Sequence, residues 1–81
     1  MSKKSVKMKV ILETSKRIIG WTSVRKAYHY LDAIRENQIV DDDISKDVAR
    51  RTMYWITLLH RIPYSNSIKL DEHTELSLEV I

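Results

Sequence analysis

Ile68-Lys69-Leu70-Asp71-Glu72-His73-Thr74-Glu75-Leu76-Ser77-Leu78-Glu79-Val80 is the stretch on which the fold turns. Ile68 and Leu70, then Leu76, Leu78 and Val80, alternate with polar residues on either side of a turn at Asp71–Thr74. A period of two around turn chemistry is the pattern of a β-hairpin with one buried face.

Upstream of it, Pro63 forces the preceding residue out of helical geometry and so closes a helix read from about 42 to 61. Along that helix Ile44, Val48, Trp55, Leu59 and Ile62 share one stripe at ~100° per residue. The run Asp41-Asp42-Asp43 is read as its cap, with negative charge at the positive end of the dipole. A first helix begins at a Thr22 or Ser23 cap, repeats Val24, Ala27, Tyr28, Leu31 and Ile34 at helical spacing, and ends near Asn37. Ahead of it the single glycine, Gly20, is read as a chain break. Thr14 to Ile19 leaves two alternatives, a short strand at Arg17-Ile18-Ile19 or a helical turn. Residues 5–12 alternate again, with Val6, Met8, Val10 and Leu12 on one side and Ser5, Lys7, Lys9 and Ile11 on the other, which predicts a strand.

The expected fold class is therefore α+β in the order β-α-α-β-β. Two helices cover one face of a small antiparallel sheet, and the N-terminal strand joins the C-terminal hairpin in it. If those strands pair, Lys7 and Lys9 face Glu75 and Glu79. With 81 residues the chain is one domain, residues 1–4 forming a flexible tail. A domain of this size buries only roughly 60% of its unfolded surface, which leaves self-association as a homodimer open.

The chain has no cysteine, which removes disulfides, thiol chemistry and zinc-finger frameworks and fits a cytoplasmic setting. Its longest apolar run is far short of a membrane span, and Lys3-Lys4 leads into no signal-type apolar region. One glycine leaves no room for a Gly-rich phosphate loop. His29, His60 and His73 fall on separate elements without metal-ligand spacing, and successive carboxylates at 41–43 cannot converge on one ion. No catalytic residue, metal or cofactor is expected.

Charge carries what functional signal there is. Lys3, Lys4, Lys7, Lys9, Lys16, Arg17, Arg25 and Lys26 stand against Glu13 alone in the first 26 residues, while the remainder is net acidic and the whole chain is only +3. Such asymmetry marks a polyanion surface or is consumed by internal pairing. Lys16, Arg17, Arg25 and Lys26 have no acidic counterpart at comparable spacing, and Lys46, Arg50 and Arg61 share the polar face of the second helix. These seven residues are the expected nucleic-acid contacts, to DNA in the first instance, of a non-enzymatic regulator such as a transcription regulator. The helix pair followed by a hairpin is compatible with a winged-helix-like module, although no Gly or Pro interrupts the second helix. The alternative is a small protein-binding inhibitor or adaptor, of the accessory type found in viruses and mobile elements, docking on a protein target through Met53, Tyr54 and Ile56. Arg51, on the apolar side, is expected to meet Asp32 or Glu36.

Overall fold

The structure is a computed structural model that describes residues 8–61 and 66–80. It consists of β1 (Met8–Glu13), β2 (Ile18–Trp21), α1 (Val24–Arg35), α2 (Lys46–Leu59), β3 (Asn66–Asp71) and β4 (Thr74–Val80). All strand pairs are antiparallel, in the order β2-β1-β4-β3, so the first and last strands lie side by side at the sheet centre. The α+β class and the helix pair on one sheet face are as the pattern predicts, with one strand more. The tail expected at 1–4, the strand start at 5–7 and the Pro63 helix stop lie outside the described residues.

Alternation sets the layers. Met8, Val10 and Leu12 of β1 and Leu76 and Leu78 of β4 point under the helices and are buried with Ala27, Leu31 and Ile34 of α1 and Ala49, Ile56 and Leu59 of α2. Each large apolar side chain fully buried there contributes roughly 1.5–3 kcal/mol. α1 lies over β1 and β2, and α2 over β3 and β4. Among the described residues no helix covers the other sheet face. On it Lys9 stands opposite Glu79, as opposite charges favour, whereas Glu75 stands between Glu13 and Lys69 and not beside a β1 lysine. Lys7 is outside the described residues.

Helix ends follow capping chemistry. Ser23 accepts the Lys26 N–H (3.1 Å) and Ser45 the Val48 N–H (3.1 Å). α2 thus starts at Lys46 and not near 42, because Asp41 turns its carboxylate elsewhere, onto the Asp43 N–H (2.9 Å) and two side chains described below. α1 stops where Asn37 takes φ 63°, with the Asn37 N–H on the Ile34 carbonyl (3.1 Å) and the Gln38 N–H on that of Ala33 (2.8 Å), an αL stop with asparagine in the usual place of glycine.

Two expectations are corrected and one open alternative is decided. Gly20 does not break the chain; it pairs with Ile11 inside β2, and its φ is not positive. The strand alternative for 14–19 is the one realised, because the Thr14 side chain accepts the Lys16 and Arg17 N–H groups and folds a tight β1–β2 turn. α2 is a single unbroken helix packed on a four-stranded sheet, so the helix break that a winged helix requires is lacking.

Candidate nucleic-acid interface

α1 enters from β2 with Ser23 as cap, and its first turn carries Arg25 and Lys26 and no acid. Cations are unfavourable at the positive end of a helix dipole, by roughly 0.3–1 kcal/mol each. Nothing nearby offsets them: neither Arg25 nor Lys26 has a carboxylate within 4.0 Å among the described residues, and both are exposed. His29, one turn on, lies on the same exposed face. The three side chains rim an open groove of about 700 Å³ whose floor is Trp21, Tyr30 and Ile39. The Trp21 and Tyr30 rings are 5.7 Å apart at 46°.

The helices run antiparallel, and the Tyr28 and Thr57 hydroxyls meet across them at 2.6 Å. Arg25 lies one turn from Tyr28 and Arg61 one turn from Thr57, both towards the same end of the helix layer. Arg25, Lys26, His29 and Arg61 therefore form one basic end. The opposite end is neutralised. There Arg50 bonds Asp47 (2.9 Å), Arg35 bonds Asp32 (3.0 Å), and only Lys46 has no ion-pair partner among the described residues.

Arg17 is a correction of a different kind. It was expected to be without an acidic counterpart, yet its guanidinium pairs with Asp41 (2.5 Å) and Asp43 (3.4 Å), carboxylates 24 and 26 residues away. The Tyr30 hydroxyl also donates to Asp41 (2.5 Å), whose side chain is 3% exposed. Burial alone would raise the Asp41 pKa, but the Tyr30 hydroxyl, the Asp43 N–H and the Arg17 guanidinium outweigh it and hold the carboxyl below its ordinary range. The same hydrogen bond to Asp41, with burial, raises the Tyr30 phenol. Arg17 is thus committed to tying the β1–β2 turn and α1 to the α1–α2 connection, with Lys16 exposed beside it, a strand length of ~13 Å from the basic end.

The alternative protein interface changes composition. Ile56 is fully buried and so is not presented to a partner, Met53 is half-buried against the core, and Tyr54 is exposed at 61%. Leu58, one turn on, is exposed as well and was not anticipated. The Tyr54 ring stands edge-on to Trp55 at 5.7 Å. Arg51 meets neither Asp32 nor Glu36: it donates to the Leu70 carbonyl of β3 (2.6 Å) and lies 3.7 Å from Asp47. Among the described residues no His or carboxylate cluster has metal-binding geometry, and no helix is long and apolar enough to cross a membrane. Compared with protein-family models, curated proteins and solved structures, the chain matches none.

Proposed function

We propose that this chain is a small non-enzymatic regulator that binds nucleic acid through the basic end of its helix layer. Arg25 and Lys26 grip phosphates, and Arg61 extends the contact past the C-terminal end of α2. The observation that carries this reading is the pair of unneutralised cations in the first turn of α1, in a chain that pairs Arg17, Arg35 and Arg50 with carboxylates. An anion is the partner that relieves them. Arg17 is withdrawn from the set of contacts and Lys16, Lys46 and Arg50 have a minor part in it. Contacts of this kind position the protein on a backbone without reading bases.

The test is fluorescence anisotropy on a labelled duplex and a matched single strand over a salt series. Binding should fall steeply with salt, and Arg25→Ala with Lys26→Ala should reduce the log–log slope by about 2. Lys46→Ala with Arg50→Ala should change it little. Salt-independent binding, or a slope indifferent to Arg25 and Lys26, refutes the reading.

A second reading is supported by Tyr54 and Leu58, exposed at i, i+4 on the outer stripe of α2 between Arg50 and Arg61. An aromatic and an aliphatic side chain flanked by arginines suit an acidic protein surface. Binding to a protein target that is lost on Tyr54→Ala and insensitive to Arg25→Ala distinguishes it.

A further inference from the structure

The two edges of the sheet are treated differently. β3 is guarded: Lys69 and Asp71 put charge on it, its register shifts between those residues, and Arg51 reaches down to occupy the Leu70 carbonyl. Besides shortness, which β2 with four residues has, charge, irregularity and cover are the means by which edge strands avoid pairing with other chains. β2, Ile18-Ile19-Gly20-Trp21, has none of these last three. It contains no charge and no proline, and Ile18 is 67% exposed.

Its backbone polarity follows from the turn. The Thr14 N–H donates to the Arg17 carbonyl, and alternation along an antiparallel ladder then makes Leu12↔Ile19 and Val10↔Trp21 the hydrogen-bonded pairs. The N–H and C=O groups of Ile18 and Gly20 consequently point outward from the edge. Gly20 has no reason of its own to be glycine. A β-carbon there would meet only the Lys9 Cε at 3.7 Å and the Val10 carbonyl at 4.0 Å, and the backbone does not need positive φ. Glycine inside a strand costs roughly 0.5–1 kcal/mol against alanine, and one without an internal reason marks a place where something else comes close.

We infer that β2 pairs antiparallel with β2 of a second copy of this chain, about a two-fold axis at Ile19. In this register Ile18 and Gly20 of each copy exchange four backbone hydrogen bonds, and each Ile18 side chain lies over the partner's Gly20 on the open sheet face. The hole left by the glycine and the exposed isoleucine are thus complementary within one strand. The helix side fits as well. With strands ~4.8 Å apart and α1 over the β1–β2 seam, α1 stands ~5 Å from the axis and ~10 Å from its mate, the ordinary helix-packing distance. The apolar groove floor of Trp21, Tyr30, Ala33 and Ile39 then faces its counterpart and is covered, while Arg25 and His29 stay on the outer surface. Lys26, at the rim of that groove, is brought towards its mate, so dimerisation strengthens with salt, the opposite of phosphate binding. The inference does not rest on the nucleic-acid reading, although the covered groove has Lys26, one of the proposed phosphate contacts, at its rim.

Sedimentation velocity over a hundredfold concentration range is the test. The wild type should pass from monomer to dimer, more readily at high salt. Ile18→Lys, which guards the edge, and Gly20→Val, which fills the hole against only ordinary contact with Lys9 and the Val10 carbonyl, should remain folded monomers by circular dichroism. The chain has no cysteine, so Ile19→Cys offers a clean cross-link: the non-hydrogen-bonded pair on the axis brings Cα atoms to ~4.5 Å, within disulfide reach. Ile19→Cys should form a covalent dimer in a glutathione buffer where Lys69→Cys on β3 does not. A wild type monomeric throughout, or a dimer indifferent to Ile18→Lys and Gly20→Val, overturns the inference.

Discussion

Replacing Tyr30 by phenylalanine removes one hydroxyl from the knot around Asp41 and leaves the ring against Trp21. The lost hydrogen bond has a charged acceptor, a class that contributes roughly 1.5–3 kcal/mol. Asp41 keeps the Asp43 N–H and the half-exposed Arg17, so the lower end applies, and about 1.5 kcal/mol is expected. For a domain of this length that corresponds to a fall in Tm of about 6–12 °C. The pH dependence is the sharper test. Asp41 has a folded pKa below its unfolded value, so its contribution is present above ~4 and is lost as pH falls through the folded pKa. Tyr30 has a folded pKa above its unfolded value, so its contribution is full below ~10 and is lost as pH rises past the folded pKa. The stability difference between wild type and Tyr30→Phe, from urea titrations at a series of pH values, should be flat through neutrality and shrink at both extremes. A difference below about 0.3 kcal/mol at pH 7, or one that does not change in acid, refutes the assignment of this bond.

Asn37→Ala puts a β-branch-free but αL-averse residue at φ 63° and should cost about 1 kcal/mol, while Asn37→Gly should be neutral or better; chemical denaturation separates the two. Glu13 and Glu75 face each other directly across β1 and β4, so Glu13→Lys should raise stability by about 0.5 kcal/mol, read as a shift of the urea midpoint at constant m. No gain, or a loss, would mean that Lys69 already neutralises Glu75.

The hairpin, the capping by Ser23 and the adjacency of β1 to β4 were legible because each leaves a local or periodic trace: alternation at Leu76 and Leu78, a hydroxyl before an apolar helix face, complementary Lys9 and Glu79. The centre of the α2 stripe was displaced. Large residues, Val48 and Trp55, drew the reading to a side that is only half-buried, whereas the innermost positions include small Ala49 and polar Thr52, whose hydroxyl is satisfied by the Val48 carbonyl at 2.6 Å. That shift hid the burial of Ile56. Gly20 was misread because glycine punctuates chains more often than it sits in a short strand. The Arg17–Asp41–Tyr30 knot left no trace at all, since its members are 24 and 11 residues apart and only the fold brings them together. Of the basic residues singled out, the sequence could identify charge but not which charges are already neutralised.

The side-by-side placement of β1 and β4 also dictates when this protein can fold. Met8 finds its neighbour in Val80, and Glu13 in Glu75, so the central ladder closes a loop of most of the chain before it returns any stabilisation. On the ribosome the β1–β2 hairpin and both helices emerge with the middle of their sheet missing, their apolar undersides open until β4 has been synthesised. Completion of the sheet therefore waits on β4, and the interval before it is when the undersides of the helices are most exposed to aggregation and proteolysis.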